Sequence, residues 1–295
     1  MTIYNQISAN KWRTWLIIGL FVVFITTLAY VFGQATGYGS SFVAFAIILS
    51  TIMSIGSYYY SDSIVLGMSG AKQIQKKDNP HLFHLVENLC IGDGLPTPRI
   101  YVMEDSAPNA FATGRDPKHA VICFTTGILQ KLNKAELEGV TAHELSHIKN
   151  FDIRLMAIVA VLVGIVALLA DFFTRSLWFG GRDRERNNNQ IFLLIGIVLA
   201  ILSPIIATLI QLSVSRKREY LADASGALLT RYPEGLASAL EKISADKEPL
   251  EAANNATAHL YIINPFKGKD IGNWFAGLFN THPPAEDRIK ILRSM

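Results

Sequence analysis

The sequence predicts an α-helical membrane protein that carries an α+β body, with about four transmembrane helices. Three features lead there. Two long apolar runs stand within a charge-free stretch near the start, a second pair of apolar runs follows later, and the remaining segments have ordinary globular patterning.

Composition supports this and excludes other classes. Hydrophobic residues make up 50% of the 295 and charged residues only 17%, against about 25% in typical soluble domains. Disorder is incompatible with that balance. The 27 basic and 24 acidic side chains leave a net charge of +3, too even for nucleic acid to be the main partner. Cys90 and Cys123 are the two cysteines, in no metal-binding pattern, so they read as small buried residues and not as a disulfide framework.

Between Arg13 and Asp62 there is no Asp, Glu, Lys, Arg or His. Within this gap Trp15 to Phe32 and Phe42 to Tyr58 are each long enough to cross a bilayer. Gly33 to Ser41 is a turn-like loop, so residues 1–62 form a predicted transmembrane hairpin. A cleaved signal peptide is the alternative for the first run, but the run is too long for one and a second span follows at once.

Residues 63–154 read as one part of a cytoplasmic body. Asn79 and Pro80 open a helix that Gly92 and Gly94 stop. Arg99 to Met103 and Ala120 to Phe124 are rich in β-branched and aromatic residues and predict strands. Asn133 with Glu136 forms a capping box for a further helix. No breaker separates this helix from Leu155, so it is expected to run straight into the third span.

That helix contains His143-Glu144-Leu145-Ser146-His147, the HExxH pattern. Residues i and i+4 share one helix face, about 6 Å apart, which suits two imidazoles converging on one Zn²⁺. Glu144 can face the attacking water without ligating the metal. The body is thereby predicted to be a zincin-like metalloprotease domain; an exposed polar stripe is the bland alternative.

Leu155 to Ala170 and Ile191 to Leu212 are the third and fourth runs, making residues 155–212 a second hairpin. The third is short, and a tilted or protein-buried hairpin stays open beside two full crossings. Residues 213–295 return to polar sequence, and there Glu219 and Asp223 are again i and i+4. Glu219 would complete a two-His, one-Glu site with one position left for water. Asp223 could hold the distal nitrogen of a ligand histidine. His147 and Glu219 can meet only if the chain crosses the membrane an even number of times between them. With a continuous helix the metal would stand about 12 Å above the apolar boundary.

Lys and Arg near the span ends set the orientation. Lys11, Arg13, Lys72, Lys76, Lys77, Lys149, Arg154, Arg216, Lys217 and Arg218 lie on the side of the polar body, against Arg175, Arg182, Arg184 and Arg186 on the other. A cytoplasmic body follows, with both termini on the same side.

Several segments resemble the HtpX family, membrane-anchored zinc metallopeptidases related to the CAAX prenyl proteases. They are Pro108 to Gly114 (PNAFATG), Thr141 to Asp152 (TAHELSHIKNFD), Ser215 to Ala227 (SRKREYLADASGA) and Thr281 to Ile289 (THPPAEDRI), interleaved with the apolar hairpins. Four spans are fewer than a CAAX protease proper would have. The resemblance implies a bacterial inner-membrane endopeptidase with one zinc per chain, acting on misfolded or damaged membrane proteins. It also implies that Asn109, Ala110, Phe111 and Ala112 form an edge strand that pairs with substrate backbone; an ordinary loop remains the alternative. A developing oxyanion needs a donor besides the metal, and His282, in a loop stiffened by Pro283 and Pro284, is the candidate, with a structural histidine as the alternative.

Arg288 is read as a partner for a carboxylate of the site region. Asn150 and Asp152 are read as helix-end or interface residues, and His81, His84, His119 and His259 as surface or packing residues. The enzyme alternative is an intramembrane-cleaving metalloprotease, which Lys131, Lys134, Glu136, Glu138 and Lys149 around HExxH oppose. The non-enzyme alternative is a membrane scaffold with a vestigial metal site.

Overall fold

A computed structural model describes residues 3–36, 41–179, 216–254, 256–266 and 282–295. The first two apolar runs lie in long helices, α1 (Ile3–Thr36) and α2 (Ser41–Met68). Trp15, Leu20 and Val23 of α1, and Phe45, Ile48, Ile52 and Ile55 of α2, point outward. Exposed apolar residues in this number mark a surface that meets something other than water. Val43–Met68 is long and apolar enough to cross a membrane.

After α2 the chain enters a small mixed sheet. Strand β1 (Lys72–Gln73) pairs antiparallel with β2 (Arg99–Met103), which runs parallel to β4 (Val121–Thr125). Strand β3 (Ala110–Thr113) pairs antiparallel with β4 and lies at the sheet's far edge. The parallel pair needs a crossover, and β3 occupies it. Helix α3 (Pro80–Asp93) precedes β2. The Asn79 side chain accepts from the Leu82 N–H at its start, and Gly94, left-handed at φ 69°, ends it. A short helix that sequence patterning did not single out, α4 (Thr126–Lys131), is capped by Thr125.

Helix α5 (Lys134–Lys149) has the expected capping box: Asn133 accepts from the Glu136 N–H, and Glu136 accepts from the Asn133 N–H. Three more helices meet it or its neighbours, α7 (Arg216–Thr230), α8 (Pro233–Ala245) and α9 (Ala285–Leu292), preceded in the chain by α6 (Asp152–Phe179). Leu85, Val86, Ile122, Phe124, Leu145 and Leu240 are among the core that joins α3, the sheet, α5 and α8. Each such side chain contributes about 1.5–3 kcal/mol by leaving water. The other sheet face packs Phe111, Val121 and Cys123 against Met156, Ala160 and Tyr261.

The expected continuous helix from HExxH into the third apolar run does not form. Helices α5 and α6 meet at an angle of 83°, with Asn150 ending α5 and Phe151 in the left-handed region at φ 59°. A non-glycine residue there costs roughly 1–2 kcal/mol. Lys11 and Arg154 grip the Phe151 ring from 4.6 and 4.9 Å, contacts that repay part of that strain. With this bend the metal does not stand about 12 Å above the apolar boundary along one straight helix, as expected from the sequence. The first half of the third run is also wrapped by protein: Leu155, Ile158, Val159 and Leu162 are buried against Ile17 and Phe21 of α1. The fourth run lies outside the described residues.

Candidate metal centre

Helix α5 presents His143, Glu144 and His147 inward, and α7 presents Glu219 and Asp223 to meet them; all five are buried. The two helices can approach because α7 has Gly226 at their contact. A Cβ there would lie 3.1 Å from the His143 backbone nitrogen. On the other side Gly139 lets α8 approach, since a Cβ at that position would stand 2.6 Å from the Leu236 nitrogen.

His143, His147 and Glu219 form the group of donors within 4.8 Å of one another. The two Nε2 atoms are 3.2 Å apart, and Glu219 oxygens stand 3.8 Å from that of His143 and 3.4 Å from that of His147. Two ligands of one tetrahedral ion at 2.0–2.1 Å are separated by about 3.3–3.4 Å. The far side of each ring is engaged by a carboxylate: His143 Nδ1 lies 2.9 Å from Asp223, and His147 Nδ1 lies 3.0 Å from Asp152. A carboxylate accepts only, so each Nδ1 carries its proton and each neutral ring turns a bare Nε2 lone pair toward Glu219. Three electron-rich groups facing one point repel unless a cation joins them.

In the metal-free chain a proton has to do that. Burial opposes charging of His147, but its bond to Asp152 and the charge on Glu219 outweigh it and raise the ring to about 9. His143 goes the other way, because burial outweighs Asp223 and lowers it. Burial alone would raise Glu219; His282, His147 and Arg288 outweigh it and hold the carboxyl well below its usual range. A divalent ion of the zinc type fits this donor set and would displace the proton.

Glu144 sits beside these donors. Its Oε2 has no partner among the described residues, and burial pushes its carboxyl up to about 7. The Ala112 N–H, on the outer edge of β3, faces the same carboxylate. Next along that edge, the Ala110 carbonyl accepts from the Ile262 N–H, and the Asn109 side chain donates to the Ile263 carbonyl and accepts from the Ala110 N–H. The predicted substrate strand is thus an edge strand beside Glu144, with the chain's own residues 262–263 lying on part of it.

His282 Nδ1 lies 3.0 Å from Glu219, while its Nε2 is buried with no partner among the described residues. Arg288 holds Asp223 with two bonds of 2.8 and 2.7 Å. Asp152, read from sequence as making helix-end or interface bonds, begins α6 and bonds Asn10 and Arg218, and it is also the partner of His147. Sequence spacing could not show this: five residues along an unbroken helix rotate a side chain about 140° away, and only the bend at Phe151 returns it. His259 is buried and bonded to the Met156 carbonyl, whereas His84 and His119 are exposed and lie 3.6 Å from Glu87 and 2.8 Å from Asp116.

A family description, Peptidase family M48, matches residues 76–295. The chain belongs to peptidase family M48. It is 47% identical over 294 residues to the "Protease HtpX homolog" of Dictyoglomus thermophilum, covering all of this chain and 95% of that protein. The Pyrococcus furiosus "Protease HtpX homolog" is also 47% identical, over 95% of this chain and 96% of that one. Among solved structures, Ste24p of S. mikatae matches with a TM-score of 0.54 at 18% identity. That likeness is one of fold; it covers 95% of this chain and 66% of Ste24p. As an M48 member with these HtpX relatives, this is a membrane metalloprotease, metal-dependent and acting on polypeptides.

Proposed function

We propose that the chain is a zinc endopeptidase that cleaves misfolded or damaged membrane proteins at the cytoplasmic surface of the bacterial inner membrane. The observation that carries the chemistry is the convergence of His143, His147 and Glu219 beside Glu144, whose Oε2 has no partner among the described residues. In this reading the three donors hold one Zn²⁺, and Asp223 and Asp152 orient the histidines. Bound there, zinc supplies Lewis acidity toward water and the scissile carbonyl. Glu144 takes the proton from the attacking water and passes it to the leaving amine. His282, beside Glu219, is the residue proposed to supply the donor toward the developing oxyanion, through whichever ring nitrogen carries the proton. Substrate backbone pairs along Asn109 to Ala112, taking over the Ala110 edge that Ile262 covers.

Two membrane hairpins, residues 1–62 and 155–212, anchor a body made of residues 63–154 and 213–295. The outward apolar faces of α1 and α2 support contact with lipid, and the excess of Lys and Arg on the body's side supports a cytoplasmic orientation. Exposed Lys134, paired with half-buried Glu138 on α5, speaks against cleavage within the bilayer.

Detergent-purified wild type is expected to hold one zinc per chain and to degrade an unfolded protein such as casein. Glu144→Gln should hold the same zinc and lose cleavage; turnover by that variant would remove Glu144 from the proton-transfer role. Absence of metal from both proteins, even after resupply, would overturn the zinc reading. For topology, cysteines placed in residues 179–189 should label from outside intact cells. Labelling only after permeabilisation would replace four spans with a shallow second hairpin.

A further inference from the structure

Among the described side chains of helix α1, Asn10 is a buried carboxamide on the body's side of its apolar run. Its Nδ2 donates to the Asn150 carbonyl at 3.0 Å and to Asp152 Oδ1 at 2.7 Å, and its Oδ1 accepts from Arg218 at 3.0 Å. Arg218 in turn donates to Asp152 at 3.2 Å. The second oxygen of Asp152 faces His147 Nδ1. One side chain from the first helix therefore joins the end of α5, the start of α6 and the start of α7. Its neighbour Lys11 stands over the ring of left-handed Phe151 at the same bend.

A buried amide in such a helix is costly unless every polar atom is used, and here both ends of the amide are used. An anchor would need none of these bonds, because apolar packing on α6 already holds α1. What the bonds specify is the 83° bend and the aim of one Asp152 oxygen. Resting on the metal-centre reading above, we infer that Asn10 is a positioning residue for His147, so that metal affinity depends on the docking of the first membrane helix. The N-terminal hairpin is then part of the metal centre's outer support and not only a tether. Asn10 touches neither metal nor substrate; it acts through Asp152.

The test uses full-length protein in detergent and reads zinc affinity by chelator competition, together with the visible spectrum of the cobalt-substituted protein. Asn10→Leu keeps a good helix former but removes the bonds, and Asn10→Asp keeps an acceptor for Arg218 without the donor to Asp152. Both should bind zinc about 10-fold or more weakly and shift the cobalt spectrum. Thr14→Val removes a buried bond within the same helix, from the Thr14 hydroxyl to the Asn10 carbonyl, and should leave both readouts at wild type. If a folded Asn10 variant lowers only the unfolding midpoint, as Thr14→Val would, and keeps wild-type affinity and spectrum, the inference is overturned.

Coupling is reciprocal, so the wild type provides a second test that needs no variant. Added zinc should slow hydrogen exchange at the water-facing start of α1, over residues 5–14; unchanged exchange with zinc bound overturns the inference. Wild type that binds no zinc would instead defeat the metal-centre reading itself, a different result from a variant with full affinity.

Discussion

The two histidines of HExxH are each held through Nδ1 by a carboxylate, and each carboxylate is held by an arginine, yet the two arms are built differently. Asp223 comes from the helix that supplies Glu219, and Arg288 clasps it with two bonds. Asp152 comes from the far side of a sharp bend, with one bond from Arg218 and one from Asn10. The first arm joins pieces of the body; the second recruits helix α1. One arm therefore depends on strong charge pairing, and the other on the geometry of a bend.

The largest expected effect tests this difference directly. Arg288→Leu removes the main countercharge of a buried carboxylate, which costs about 3–5 kcal/mol of stability. Arg218→Leu should cost distinctly less, because Asp152 keeps its bonds to Asn10 and His147. Thermal unfolding of the two metal-free variants in the same detergent measures both. Equal losses would mean the arms are supported alike and the comparison fails.

The first arm was legible in sequence and the second was not, for a geometric reason. Helical periodicity places Glu219 and Asp223 on one face, and HExxH places its histidines on another, so a metal with one orienting carboxylate can be read from spacing alone. The strands at 99–103 and 121–125 and the cap at Asn133 are similarly local. Asp152 needs Phe151 in a left-handed conformation, a state that no residue preference for phenylalanine signals. Asn10 is still less visible, 142 residues from the carboxylate it holds. For the third apolar run the sequence left a protein-buried hairpin open beside a full crossing, because hydropathy registers that α6 is apolar but not that Leu155 to Leu162 pack on α1.

Acid should expose the difference next, through His259. Its ring is buried against the Met156 carbonyl of α6, the helix that begins with Asp152. Burial lowers its pKa from 6.5 to about 4. The unfolded chain takes up this proton below 6.5, whereas the folded chain resists until about 4. Stability from this group is therefore complete above 6.5 and is lost as pH falls toward 4, a change of about 3 kcal/mol. His259→Gln keeps an N–H for Met156 and cannot charge, so its unfolding midpoint should vary less between pH 6.5 and 4 than that of wild type. Identical pH profiles would show that His259 does not carry the acid response.

The smallest effect reads the arms one at a time at the metal. Asp223→Asn and Asp152→Asn each replace an acceptor-only carboxylate by an amide, weakening the hold on one imidazole proton. Outer partners of metal ligands are typically worth 10–100-fold in affinity. Asp223→Asn also relieves Arg288 of its buried partner, so its loss of zinc affinity should come with a large loss of stability. Asp152→Asn can accept from Arg218 through its carbonyl and sits in a bend held by other contacts. Its loss of zinc affinity should come with little change in the metal-free unfolding midpoint. Affinity by chelator competition and the midpoint, measured on both variants, separate the two arms. If affinity and stability fall together for Asp152→Asn as well, its arm is a structural brace like the other, and α1 holds the bend for the fold and not for the metal.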